Sequence, residues 1–149
     1  MKLLLLIEDN EDDIFITRYV IEKVRPDCEI KVIEDGEEAV NFLFGTEADF
    51  VDGDLILLDI NLPKVNGLEI LRLLKNEPRF KKMPVVILTS SMYGADRQKA
   101  VENGADMYVM KPLGLEEFEV VMEKIFEAFL PSEKPAAPAA GESPQTGTF

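Results

Sequence analysis

The chain has no histidine and a single cysteine, Cys28, in 149 residues. An intramolecular disulfide is therefore impossible, and a zinc site fails on ligand count, because such sites are built from thiolates and imidazoles. A buried, inert thiol is the fate expected of Cys28. Basic side chains are scarce as well: 16 Lys and Arg against 29 Asp and Glu leave a formal charge of −13, which repels nucleic-acid phosphates and anionic lipid. Long apolar runs are missing. The first, Leu3 to Ile7, is interrupted by Glu8 and Asp9 and is too short for a signal-peptide core or a spanning helix. The expectation is a soluble, cytoplasmic protein with no nucleic-acid or membrane partner. The length suits one domain rather than two, and no internal repeat is present.

Short apolar runs, by contrast, recur. Leu3 to Ile7, Leu55 to Leu58 and Val85 to Leu88 are continuous and read as strands buried on both faces. Glu29 to Glu34, carrying Ile30, Val32 and Ile33, reads as a less hydrophobic edge strand, and Met107 to Met110 as a short final one. Helical spacing fills the gaps. Ile16, Val20, Ile21 and Val24 share a face behind Asp12 or Asp13 as cap and before Pro26; Ala39, Val40 and Leu43 follow within Glu37 to Phe44 and stop at Gly45. Leu68, Ile70, Leu71 and Leu74 mark a third helix that ends before Pro78. Ala95 to Asn103 is a weakly amphipathic fourth, closed by Gly104 in the left-handed cap position, and Glu116 to Leu130 is a strong fifth. Thr46 to Gly53 reads as loop. Residues 131–149 are rich in Pro, Ala, Gly, Ser and Thr and read as a disordered tail to a domain spanning 1–130. Strands alternating with helices imply right-handed crossovers and a doubly wound, five-stranded parallel α/β sheet.

All strand carboxyl ends then lie along one edge, where such sheets bind ligands at the switch in strand order. Strand one ends in Glu8 and Asp9, strand three in Asp59, strand four in Thr89 and Ser90, strand five in Lys111. Each alone has a plain explanation: a turn aspartate, a solvated helix start, a helix cap, a surface lysine. With strand order 2-1-3-4-5 the carboxylates converge, and converging carboxylates repel unless a cation sits among them or a proton is retained. Oxygen-only ligation suits magnesium, and Lys111 could neutralise the empty site or hold phosphate oxygens. Such a set points to phosphoryl transfer with Asp59 as nucleophile, a carboxylate needing no separate base.

The motifs E-D at 8–9, L-L-D-I-N-L-P-K-V-N-G around Asp59, L-T-S-S around Thr89 and Y-V-M-K-P with Tyr108 and Lys111 resemble the receiver domains of two-component response regulators, over Lys2 to about Leu130. The resemblance implies a flavodoxin-like receiver fold. It further implies Mg2+, with Mn2+ as a substitute, held by Asp9, Asp59 and the backbone carbonyl of Asn61, with Glu8 acting through water. Thr89 and Lys111 would bind phosphoryl oxygens, Thr89 and Tyr108 would form the switch, and Lys111–Pro112 would be a cis peptide. Glu8 stands where many receivers have Asp, and Asn66 where Asp is frequent before the glycine. The E-D-N-E-D-D opening, the segment from Gly45 to Gly53 and the T-S-S run are similar to small single-domain receivers that serve phytochrome-type histidine kinases.

On this reading a sensor histidine kinase donates a phosphoryl group to Asp59, and the face made by helix four, strand five and helix five is remodelled for a downstream protein, a phosphotransfer protein or a second copy of the chain. The protein would catalyse only its own phosphorylation and dephosphorylation. Two competitors differ in class. A pseudo-receiver would bind partners without phosphorylation. A haloacid-dehalogenase-like phosphohydrolase needs a second carboxylate two residues after the nucleophile, where this chain has Asn61.

Overall fold

The structure, a computed structural model, describes residues 2–45 and 53–131. Most of the expected loop after Gly45 and nearly all of the expected tail lie outside the described residues. Five strands, β1 (Lys2–Ile7), β2 (Cys28–Ile33), β3 (Leu55–Leu58), β4 (Val85–Thr89) and β5 (Met107–Met110), alternate with five helices. These are α1 (Glu11–Val24), α2 (Gly36–Phe44), α3 (Gly67–Asn76), α4 (Gly94–Glu102) and α5 (Leu115–Phe129), with one 3-10 turn at Pro78–Phe80 after α3. All neighbouring strands are parallel, and their order is β2-β1-β3-β4-β5, the doubly wound arrangement expected from the sequence.

The period of two along each strand decides which helices it meets. Leu5, Ile7, Ile56, Leu58, Val85 and Ile87 face the layer of α2, α3 and α4, against Ala39, Leu43, Ile70, Leu71, Leu74, Phe80 and Ala100. Leu4, Leu6, Leu55, Leu57, Val86 and Leu88 face α1 and α5, against Val20, Ile21, Phe118, Met122, Ile125 and Phe126. The central strands are thus buried on both sides, and truncating any of these leucines to alanine costs about 2–5 kcal/mol. β2, at one edge, alternates between partly buried and exposed residues. The Arg25 guanidinium, over the Phe126 ring and bonded to Asp27 and the Leu130 carbonyl, fastens the end of α5 to the end of α1.

Helix boundaries follow local chemistry. The cap of α1 is Asn10, not Asp12 or Asp13: its side chain accepts from the Asp13 N–H at 2.9 Å. The first turn therefore begins one residue after the cap, with Glu11, Asp12 and Asp13 all inside it, where the helix dipole favours acids. Asp35 caps α2 through Glu38 N at 2.7 Å, and Asn66 caps α3 through Leu68 N at 2.7 Å. α4 has no side-chain cap and buries only Ala100, and Gly104 beyond it takes the left-handed conformation, φ 93°. A second correction concerns Lys111–Pro112, which is trans, since no described peptide bond is cis. Trans is intrinsically favoured by about 0.5–1 kcal/mol before proline.

Candidate functional site

The parallel ladder runs one residue past several strands and so fixes the groups at their ends. Glu8 N–H donates to Ile33 O at 3.0 Å, Asp59 N–H to Ile7 O at 3.0 Å, and Lys111 N–H to Thr89 O at 2.8 Å. These bonds set adjacent strand ends at a common level and bring their side chains to one pocket. Glu8 and Asp59 are buried there, 2% and 6% exposed, while Asp9 is exposed. One carboxylate oxygen from each of Glu8, Asp9 and Asp59 lies within 4.8 Å of the others.

Lys111 enters this cluster from the far side. Its Nζ donates to Glu8 Oε1 at 2.5 Å and Asp13 Oδ2 at 2.8 Å, and reaches Asp59 Oδ2 at 3.4 Å. The remaining oxygens of the two buried acids take backbone donors: Asp59 Oδ1 accepts from Ile60 N at 2.7 Å and Glu8 Oε2 from Asn10 N at 3.1 Å. Burial raises Glu8 to about 7, with the charge of Asp59 acting in the same direction and Lys111 opposing both. For Lys111 burial lowers the ammonium, but the hydrogen bonds it donates to Asp13 and Glu8 and the charge of Asp59 outweigh it and leave the group above its ordinary value. The pocket is thus an acidic cluster holding one buried cation.

The loop after Asp59 closes tightly on the strand end. Gly67 N–H donates to Ile60 O at 2.8 Å, and a Cβ on Gly67 would stand 2.0 Å from the Asp59 carbonyl oxygen; only glycine permits that approach. Gly36 N–H donates to Pro63 O at 2.9 Å, and Lys64, in the left-handed region at φ 72°, sits 3.7 Å from Asp35 and 3.5 Å from Glu37. The start of α2 therefore pins the loop from its outer side. Within it, the carbonyls of Ile60 and Pro63 each accept two backbone N–H groups, whereas among the described residues none donates to Asn61 O. The three carboxylates form an all-oxygen donor set that fits a hard divalent cation such as Mg2+ or Mn2+.

Not every residue singled out from the sequence joins this cluster. Thr89 is fully buried, and its hydroxyl oxygen accepts from Ser91 N at 3.2 Å. Tyr108 lies beneath the Arg97 guanidinium, 5.2 Å from the ring centre, and its hydroxyl is buried near Ser91 with no well-formed hydrogen bond among the described residues. Burial, assisted by the nearby Asp96 charge, pushes its phenol above the ordinary value. Asn61 is exposed in the loop. Two features went unread in the sequence. Asp13 reads from the sequence only as a helix cap, although it lies in the first turn of the helix that leaves the strand edge at Glu8 and Asp9. Ser91, whose hydroxyl donates to Asp96 at 2.5 Å, ties the end of β4 to the first turn of α4, and no sequence pattern marks that pair.

Residues 4–123 match the sequence family described as the response regulator receiver domain. The response regulator Rcp1 of Synechocystis sp. is 33% identical over 141 residues, covering 93% of this chain and 95% of that protein. Its Mn2+-bound crystal structure superposes with a TM-score of 0.75, at 32% identity, over 93% of this chain and 100% of that one. The phosphorylated cyanobacterial phytochrome response regulator RcpA gives a TM-score of 0.79 at 33% identity over 87% of this chain and 94% of that one. A probable methanogenesis regulatory protein, FilR2 of Methanothrix harundinacea, is 32% identical over 138 residues, 92% of this chain and 89% of that protein. A receiver-type strand order, an acidic pocket at the strand ends with a lysine from β5, and a family match over most of its length together show that the chain belongs to the response regulator receiver family.

Proposed function

We propose that the protein accepts a phosphoryl group on Asp59 from a sensor histidine kinase and signals through the resulting change in its protein contacts. The observation that carries this reading is the setting of Asp59: a buried carboxylate among two further acids, with a buried ammonium 3.4 Å from its outer oxygen. An oxygen of Asp59 attacks phosphorus, the P–N bond of a phosphohistidine breaks, and the imidazole leaves with the electron pair. Lys111 would meet the charge on the phosphoryl oxygens, and Thr89, one strand over, would move toward another of them. Asp9, Asp59 and the Asn61 carbonyl would hold Mg2+ or Mn2+, with Glu8 acting through water, and the ion would neutralise charge on the transferring group. The RcpA neighbour is described as phosphorylated and the Rcp1 neighbour as Mn2+-bound, which supports both parts for this chain.

The same likeness supports a phytochrome-type kinase as donor. A cavity of about 390 Å3 beside Lys111, lined by Phe15, Ile16, Tyr19, Leu113 and Phe118 among others, gives that kinase an apolar foothold next to the pocket. Thr89 and Tyr108 carry the signal outward to the face of α4, β5 and α5, where Val101, Met110 and Val120 are exposed for a downstream protein, a phosphotransfer protein or a second copy. No described helix is long and apolar enough to cross a membrane, and the reading places the protein in the cytoplasm, with residues 1–130 as the working domain and 131–149 as its tail. Incubation with Mg2+ and acetyl phosphate, followed by intact mass, should give one phosphoryl addition in wild type and none in Asp59→Asn. A wild-type protein that stays unmodified would leave the pseudo-receiver reading in its place.

A further inference from the structure

Three N–H groups of Lys111 meet three carboxylates, and they are not equivalent. The ammonium lies 2.5 Å from Glu8 and 2.8 Å from Asp13, but 3.4 Å from Asp59. In this arrangement the cation is drawn toward α1. Asp13 is not committed to capping the helix, since Asn10 does that. Of the three acids in the first turn of α1, Glu11, Asp12 and Asp13, Asp13 is the one that meets a cation among the described residues. It also differs from the other two partners of Lys111 in exposure: its side chain is 37% accessible, against 3% for Glu8 and 7% for Asp59.

That difference decides which contact gives way. A phosphoryl group on Asp59 adds negative charge and three acceptor oxygens at the partner that the ammonium now holds least closely. To reach them the ammonium must release an acceptor, and a buried carboxylate left unpaired is costly whereas a partly solvated one is not. We propose that Asp13 is a positioning residue that holds Lys111 back from the Asp59 side, so that a phosphoryl group must draw the ammonium away from Asp13 and the Asp13 contact sets how tightly the site retains that group. The proposal rests on Asp59 being the phosphoacceptor.

The probe is beryllofluoride at saturating Mg2+, its dissociation constant read from amide NMR shifts of the full chain. Asp13→Asn, and Asp13→Ser as an independent replacement, should bind about three- to fivefold more tightly than wild type, the equilibrium worth of a half-exposed ion pair. A merely structural lesion would weaken binding instead. Asp13→Glu should stay close to wild type, and Asp12→Asn, which removes the same charge from the same helical turn without touching Lys111, should leave the constant unchanged. Unchanged or weaker binding in both Asp13→Asn and Asp13→Ser overturns the inference, as does equal tightening in Asp12→Asn or Asp13→Glu. If wild type binds no beryllofluoride, or Asp59→Asn binds it equally well, the phosphoacceptor reading itself fails.

Discussion

Replacing Asp59 by Asn is expected to stabilise the metal-free protein while removing its response to Mg2+. The Asp59 side chain is 7% exposed, so it bears most of the desolvation of a buried carboxylate, several kcal/mol after relaxation. Lys111 at 3.4 Å attracts it by about 5 kcal/mol at an effective dielectric constant of about 20. Glu8, with an oxygen no more than 4.8 Å away, repels it by at least about 3.5 kcal/mol on the same footing, and exposed Asp9 adds a smaller share. Attraction and repulsion nearly cancel, and desolvation is left over. Asn keeps the acceptor for Ile60 N–H, and Lys111 keeps Glu8 and Asp13. The gain should be about 1–2 kcal/mol at pH 8, and smaller at pH 6, where Glu8, raised to about 7, holds its proton and repels less. Urea unfolding in chelator at both pH values measures this. Adding Mg2+ at ten times its dissociation constant should stabilise wild type by about 1.4 kcal/mol and leave Asp59→Asn unmoved. An Asn variant no more stable than wild type at pH 8, or one that keeps the full Mg2+ effect, would refute the reasoning.

Further outcomes follow from the same pocket and its surroundings. Glu8 titrates at about 7 folded against 4.5 unfolded, so the folded state binds more protons between those values; metal-free stability should fall as pH rises from about 4.5 through 7, by up to about 3 kcal/mol. Glu8→Gln should flatten that slope in pH-dependent urea melts. Gly67→Ala would place a Cβ 2.0 Å from Asp59 O and 2.8 Å from Ile60 Cα, both backbone, and should cost about 3 kcal/mol with loss of the Mg2+ response. Thr17, fully buried in α1 with a hydroxyl that has no partner among the described residues, should gain about 1 kcal/mol as Val in chemical denaturation.

Much of the fold was legible because burial on both faces leaves continuous apolar runs. Leu55 to Leu58 needs no pattern to be read as a central strand, and β5 was placed at its observed ends, Met107–Met110. Element edges were less legible. Asn10, Asp12 and Asp13 are all competent caps in isolation; Asn10 takes the role, and Lys111, from 98 residues away, takes Asp13. The convergence of Glu8, Asp9, Asp59 and Lys111 could be foreseen from strand order, since one edge collects all strand ends. What could not be foreseen is how the ammonium divides itself among the carboxylates, or that the Tyr108 hydroxyl is buried with no well-formed hydrogen bond among the described residues. Those depend on side-chain packing between elements, which no local pattern encodes. The isomer at Lys111–Pro112 belongs with them: the motif pointed to cis, and the chain is trans.

The central claim is that Asp59, and no other group in the acidic pocket, carries the phosphoryl. Phosphorylating the protein with acetyl phosphate and Mg2+, reducing the acyl phosphate with borohydride and locating the product by peptide mass reads this directly, because the hydride converts a phosphorylated aspartate to homoserine. The account predicts homoserine at position 59 alone. Reduction at Asp9, Glu8 or Asp13, or no reduced residue in a protein that binds Mg2+ normally, would contradict it.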